Sequence, residues 1–119
     1  MSAESPTGVP VQRMVRRPHL LKTWPVYFDA LWSGEKTFEV RKNDRDYKAG
    51  DRLVLQEYDP ELEAYLDREI HADVTYRMPG GRWGVSEDYC VMALRIAKKR
   101  WKQTPNAAGE LQPPPNNQK

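Results

Sequence analysis

The chain has 119 residues, a formal net charge of +2, one cysteine and two histidines. That length holds one domain and little more. No stretch approaches the roughly 20 apolar residues that cross a bilayer, and Met1 to Pro10 lacks the apolar run of a secretory signal, so a cytoplasmic protein is expected. Cys90 alone excludes an internal disulfide, and with only His19 and His71 as nitrogen ligands no metal or other cofactor is expected.

Residues 1–17 read as a flexible leader. The folding unit is expected over 18–98. Residues 103–119, with Pro113-Pro114-Pro115 and then Asn116-Asn117-Gln118, read as a disordered tail that buries too little apolar surface to fold. Within the unit, His19 to Thr23 is a candidate first strand. Thr23-Trp24-Pro25 marks a helix start, with proline at the first position, where its missing N–H costs nothing. Phe28, Leu31 and Trp32 then fall on one helical face, and Gly34 supplies the left-handed residue that ends it.

Thr37 to Lys42 alternates, Phe38 and Val40 against Thr37, Glu39 and Arg41. Asn43-Asp44-Arg45-Asp46 is turn chemistry. Gly50-Asp51 leads into a strand from Arg52 to Tyr58, broken by Asp59-Pro60. An acidic loop, Pro60 to Asp67, precedes a strand in which Ile70, Ala72, Val74 and Tyr76 alternate with His71, Asp73, Thr75 and Arg77. Pro79 to Gly84 reads as a loop, and Tyr89 to Ala97 as a last strand with Cys90, Met92, Leu94 and Ile96 on its core face. One early helix followed by four or more strands predicts an α+β, mostly β domain: a small, mostly antiparallel barrel with one principal helix.

Charge is unevenly spread. Between Thr23 and Leu94 nine Lys/Arg stand against fifteen Asp/Glu, whereas Arg16, Arg17 and Lys22, and the run Arg95, Lys98, Lys99, Arg100 and Lys102, are unopposed. An acidic body with basic ends is poorly suited to general polyanion binding, which depends on phosphate neutralisation. A focused pocket is expected instead.

The densest set of candidate site residues is Gly34 to Arg45. If Phe38 and Val40 face the core, Glu39 and Arg41 face a cleft or solvent together. Lys36, at the helix-to-strand junction, is able to swing to the same place. Arginine and lysine hold phosphate, one as a planar fork and the other as a point charge. A carboxylate beside them serves as a general base or accepts hydrogen bonds from a nucleobase edge. Exposed strand salt bridges worth under about 1 kcal/mol are the plainer alternative. Around this set, Lys22 and Trp24 flank the helix start, Asn43 and Arg45 hold either phosphate or their own turn, and Trp83 either stacks on a base or pins its loop. His71 reads as exposed.

The run Gly34, Lys36, Glu39 and Arg41, as G-x-K-x-x-E-x-R, resembles the signature of the ASCH superfamily, relatives of the PUA RNA-binding fold. A wider set, including His19, Leu21-Lys22, Tyr27-Phe28, Asn43-Asp44-Arg45, Gly50-Asp51 and Glu57-Tyr58-Asp59-Pro60, resembles an ASCH-like family of uncharacterised phage and bacterial proteins predicted to bind RNA. The likeness spans about His19 to Ile96. It implies a PUA-like barrel with the helix packed near its mouth and an RNA- or nucleotide-binding cleft, with Lys36 and Arg41 on phosphate and Glu39 reading a base or sugar hydroxyl. Some ASCH relatives are amidohydrolases acting on a modified cytidine, and others have been proposed to cleave RNA. That implies, as an alternative, a small hydrolase with Lys36 and Glu39 as its acid–base pair. This sequence has glutamate at position 39 where those amidohydrolases have threonine, and only Glu69 and Glu87 are candidates for their second glutamate. A third expectation is a phage or accessory protein that binds a host protein.

Overall fold

The computed structural model describes residues 18–102; the expected leader and tail lie outside them. The elements are β1 (His19–Thr23), α1 (Pro25–Ser33), β2 (Phe38–Lys42), β3 (Arg52–Asp59), β4 (Ala64–Pro79) and β5 (Tyr89–Trp101). The five strands form one sheet in the order β1-β3-β4-β5-β2. The β1–β3 pair is parallel and the other three pairs are antiparallel.

Helix α1 forms as its sequence dictates. Pro25 takes the first turn, the Trp24 carbonyl accepts from the Phe28 N–H at 2.8 Å, and Gly34 ends the helix at φ +90° with its N–H on the Leu31 carbonyl. Phe28 and Leu31 go into the core with Leu21, Leu53, Leu55, Ile70, Val74 and Met92. Burying a side chain of that size contributes about 1.5–3 kcal/mol.

Two findings depart from the alternation read off the sequence. The first concerns β2. Glu39 lies opposite Met92 and Arg41 opposite Cys90, and both partners are fully buried. Cross-strand partners share a face, so Glu39 and Arg41 point to the core side. Phe38 (44% exposed) and Val40 (48%) point out. The strand is polar inward and apolar outward, the reverse of expectation. The second concerns β4, where a register shift between Val74 and Tyr76 moves Tyr76 out of the buried series and sets it opposite Ala93. A bulge of this kind flips every later side chain to the other face. The acidic loop is also shorter than expected, since Ala64 already pairs with Asp59, and β5 continues past Ala97 to Trp101.

Helix and sheet are tied by a buried charge cluster that sequence reading missed. Arg68 on β4 donates to both oxygens of Glu57 on β3, at 3.0 and 2.9 Å, and to Asp29 on α1. Its guanidinium lies 5.0 Å from the ring centroids of both Phe28 and Trp32. Removing one partner of a buried pair strands the other charge. Arg68→Ala is therefore expected to lower stability by about 3–5 kcal/mol in urea unfolding, and Arg68→Met with Glu57→Leu to recover most of that loss.

On the opposite face Asp73 takes hydrogen bonds from Arg52 at 2.7 Å and Arg95 at 3.3 Å. The Arg52 bond, ahead of an opposing desolvation effect, holds its carboxyl below the ordinary carboxylate range. A group depressed in the folded state stabilises above its unfolded value, near pH 3.9, and loses that contribution as pH falls through the folded value. Thermal melts from pH 6 to pH 2 should accordingly show a shallower acid-side decline in Asp73→Asn than in the unmodified chain.

Candidate functional site

The sheet curls into a half-barrel whose two edge strands come together without pairing. Residues two apart on a strand point their carbonyls to the same edge, and the Leu20 and Lys22 carbonyls of β1 both accept hydrogen bonds from across the seam. Two arginines from the β2 side fill them. Arg41 Nη2 donates to the Lys22 carbonyl at 2.9 Å and to Thr23 Oγ1 at 3.2 Å. Arg45 Nη1 donates to the Leu20 carbonyl at 2.9 Å. Side chains thus do at this seam what a ladder does elsewhere in the sheet.

Glu39 organises the inner side of the seam. It is 4% exposed, and each of its oxygens is taken: Oε1 accepts from Arg41 Nε at 2.9 Å, Oε2 from Lys36 Nζ at 3.1 Å. Lys36 Nζ also donates to the Phe38 carbonyl at 2.6 Å. The ammonium and the guanidinium are therefore held about one carboxylate, each with N–H groups left over.

An open cleft of about 700 Å³ runs along this seam. Lys36, Glu39, Arg41 and Thr23 line it, as do Lys22 and Lys42. Its apolar wall is Trp24, Tyr27, Phe38, Val40 and Tyr89. Trp24 and Tyr27, three apart at the start of α1, stack with centroids 6.4 Å apart. Lys22 Nζ makes no hydrogen bond among the described residues and sits 4.4 Å from the centroid of Tyr58. Among the described residues that line it, Glu39 is the one acid, against four cations.

Five of the residues singled out in the sequence, Lys22, Trp24, Lys36, Glu39 and Arg41, thus meet in one cleft. Three do not line it. Arg45 is spent on β1, and the Asn43 backbone N–H donates to the Asp88 carbonyl at 2.8 Å. Trp83 sits on the β4–β5 loop, 82% exposed, with φ +58°. Tyr27, Lys42 and Tyr89 were not anticipated; the i, i+3 spacing of Trp24 and Tyr27 was the available signal for the first. His71 is not simply exposed: its Nε2 lies 2.8 Å from Glu69 Oε2. Among the described residues, no cluster of three or more His, Cys, Asp or Glu side chains has metal-binding geometry, and no helix is long and apolar enough to cross a membrane.

The seam geometry sets an expectation for Arg41. In Arg41→Lys the charge survives, but one ammonium cannot reach Glu39 and both β1 acceptors. Amide exchange across β1 should quicken, and stability should drop by about 1–3 kcal/mol.

Residues 18–94 match the family described as a domain of unknown function, DUF3850. A curated relative, the "Uncharacterized 12.9 kDa protein in GpA 3'region" of Escherichia phage P2, is 33% identical over 79 residues, covering 66% of this chain and 69% of that protein. The chain belongs to the DUF3850 family.

Proposed function

We propose that this member of the DUF3850 family binds RNA or a nucleotide in the seam cleft, and that its half-barrel is of the ASCH/PUA-like kind. The observation that carries the reading is the bracing of Lys36 and Arg41 by the buried Glu39 carboxylate, at 3.1 and 2.9 Å. A cation held in place by a buried acid loses little side-chain entropy when it meets a ligand. The unspent N–H groups of Arg41 and Lys36, with Lys22 and Lys42 at the rim, supply donors for phosphate oxygens. The half-exposed rings of Trp24 and Tyr27 supply a surface for a base. Excess cation within an otherwise acidic body concentrates the attraction at one place.

The Lys36–Glu39 contact also favours a second reading, a hydrolase with this pair as acid and base. The two readings separate by turnover. Binding alone predicts no change in a panel of modified nucleosides or RNAs, whereas hydrolysis predicts product that disappears in Glu39→Gln.

An NMR titration with mononucleotides and short RNAs tests the lead reading, with shifts expected at Lys22, Lys36, Glu39 and Arg41. Lys22→Ala is the cleanest variant, because the Lys22 ammonium makes no hydrogen bond among the described residues and the backbone carbonyl that Arg41 uses is kept. It should weaken binding about 5- to 20-fold, the loss of one charge-assisted contact, and lower the melting temperature by only the few degrees that its contact with the Tyr58 ring contributes. A chain that shows no shifts with any of these ligands would remove the proposal.

A further inference from the structure

The inversion of β2 leaves an apolar surface on the outside of the sheet. Phe38 on β2 lies opposite Ala93 on β5, which lies opposite Tyr76 on β4. The next row outward is Val40, Val91 and Met78, and beyond it Lys42 lies opposite Tyr89. The bulge after Val74 makes this possible, because it turns Tyr76 to the same side as Phe38. Tyr76 is 65% exposed and Tyr89 39%. Contiguous exposed apolar area of this kind marks an interaction site.

We infer that this outer face of β2, β5 and β4 is a stacking platform for the bases of a single-stranded RNA that continues out of the seam cleft. The inference rests on the cleft reading and narrows it, from any nucleotide to an extended single strand. Two observations favour nucleic acid over a protein partner. The platform is continuous with the cleft, since Phe38, Val40 and Tyr89 belong to both. It is also bordered by cations and carries no carboxylate in its three rows: Lys42 stands in the last row, and Lys36 Nζ lies 4.8 Å from the Phe38 ring centroid.

The spacing suits alternate bases of an extended strand. Phe38 and Tyr76 are two strands apart, about 10 Å, and Tyr89 is four residues from Ala93 along β5, about 13 Å. Trp83 stands on the loop that joins the platform end of β4 to that of β5 and is 82% exposed, a further ring free to stack. A duplex hides its bases within its own stack, so the platform selects for unpaired strands.

Fluorescence anisotropy with a labelled ten-residue single-stranded RNA, a blunt duplex of the same sequence, and NMR titration with UMP and AMP together test this. Tyr76→Ala and Trp83→Ala lie outside the cleft, and their melting temperatures establish that each variant is folded. Each should weaken the single strand roughly 5- to 100-fold, the effect of losing one base–aromatic stack, and leave mononucleotide binding unchanged. The duplex should bind at least about 10-fold more weakly than the single strand, since stacking is the interaction it forfeits. The platform is overturned, with the cleft intact, if both variants keep full single-strand affinity while Lys22→Ala loses it, or if duplex and single strand bind equally. Sedimentation that reveals a dimer abolished by Tyr76→Ala overturns it too, by assigning the face to a second copy of this chain. If neither RNA nor mononucleotide binds the unmodified chain, the cleft reading falls along with the platform.

Discussion

Everything in this fold that bears on a ligand follows from two sheet edges that meet without pairing. Backbone carbonyls at an unpaired edge need donors, and at this seam the donors are guanidinium groups from β2 and the turn after it. A side chain spans a wider gap than a strand ladder does, so the edges stand apart and a cleft of about 700 Å³ opens between them. Because the bridging groups are cationic, the opening is electropositive from the start. Closure of the barrel and the charge of the cleft are one feature.

The polar interior of β2 is the second half of the same arrangement. Glu39 is nearly as buried as the core residues around it, and a carboxylate in that position is tolerated only when its oxygens are satisfied. Lys36 and Arg41 satisfy them. Across α1 the Glu57–Arg68–Asp29 cluster repeats the pattern with the signs exchanged, one buried guanidinium between two carboxylates. The helix thus sits between two charge-paired centres. One faces the cleft, whereas the other serves to dock the helix.

Much of this was legible in the sequence. Proline and glycine bound α1 where the capping rules place them, and the strands fall where β-branched and apolar residues alternate. The grouping of Glu39 with Arg41 was also legible, because a period of two fixes which residues share a face. Which face turns inward is another matter. Phe38 and Val40 are the more apolar pair, yet Met92 and Cys90 on the neighbouring strand set the orientation, and nothing local to β2 records that partnership. The bulge on β4 was invisible for a related reason, since an extra residue breaks the alternation without changing its composition. The Arg68–Glu57 pair joins strands through a register that exists only once the sheet has formed. The likeness to the phage protein adds no chemistry, because that relative is itself uncharacterised.

Lys22 gives the cleft an unequal pair of walls. Among the described residues its ammonium is held by the faces of Tyr58 and Tyr65 alone, and attraction to a ring is broad in direction and worth only about 0.5–1 kcal/mol at an exposed site. Leaving it requires a rotamer hop on the picosecond-to-nanosecond scale and breaks no hydrogen bond. Arg41, by contrast, is pinned at three points. On the proposed reading an incoming anion would meet a fast-searching arm on one bank and a stationary anchor on the other, so capture and alignment would fall to different residues.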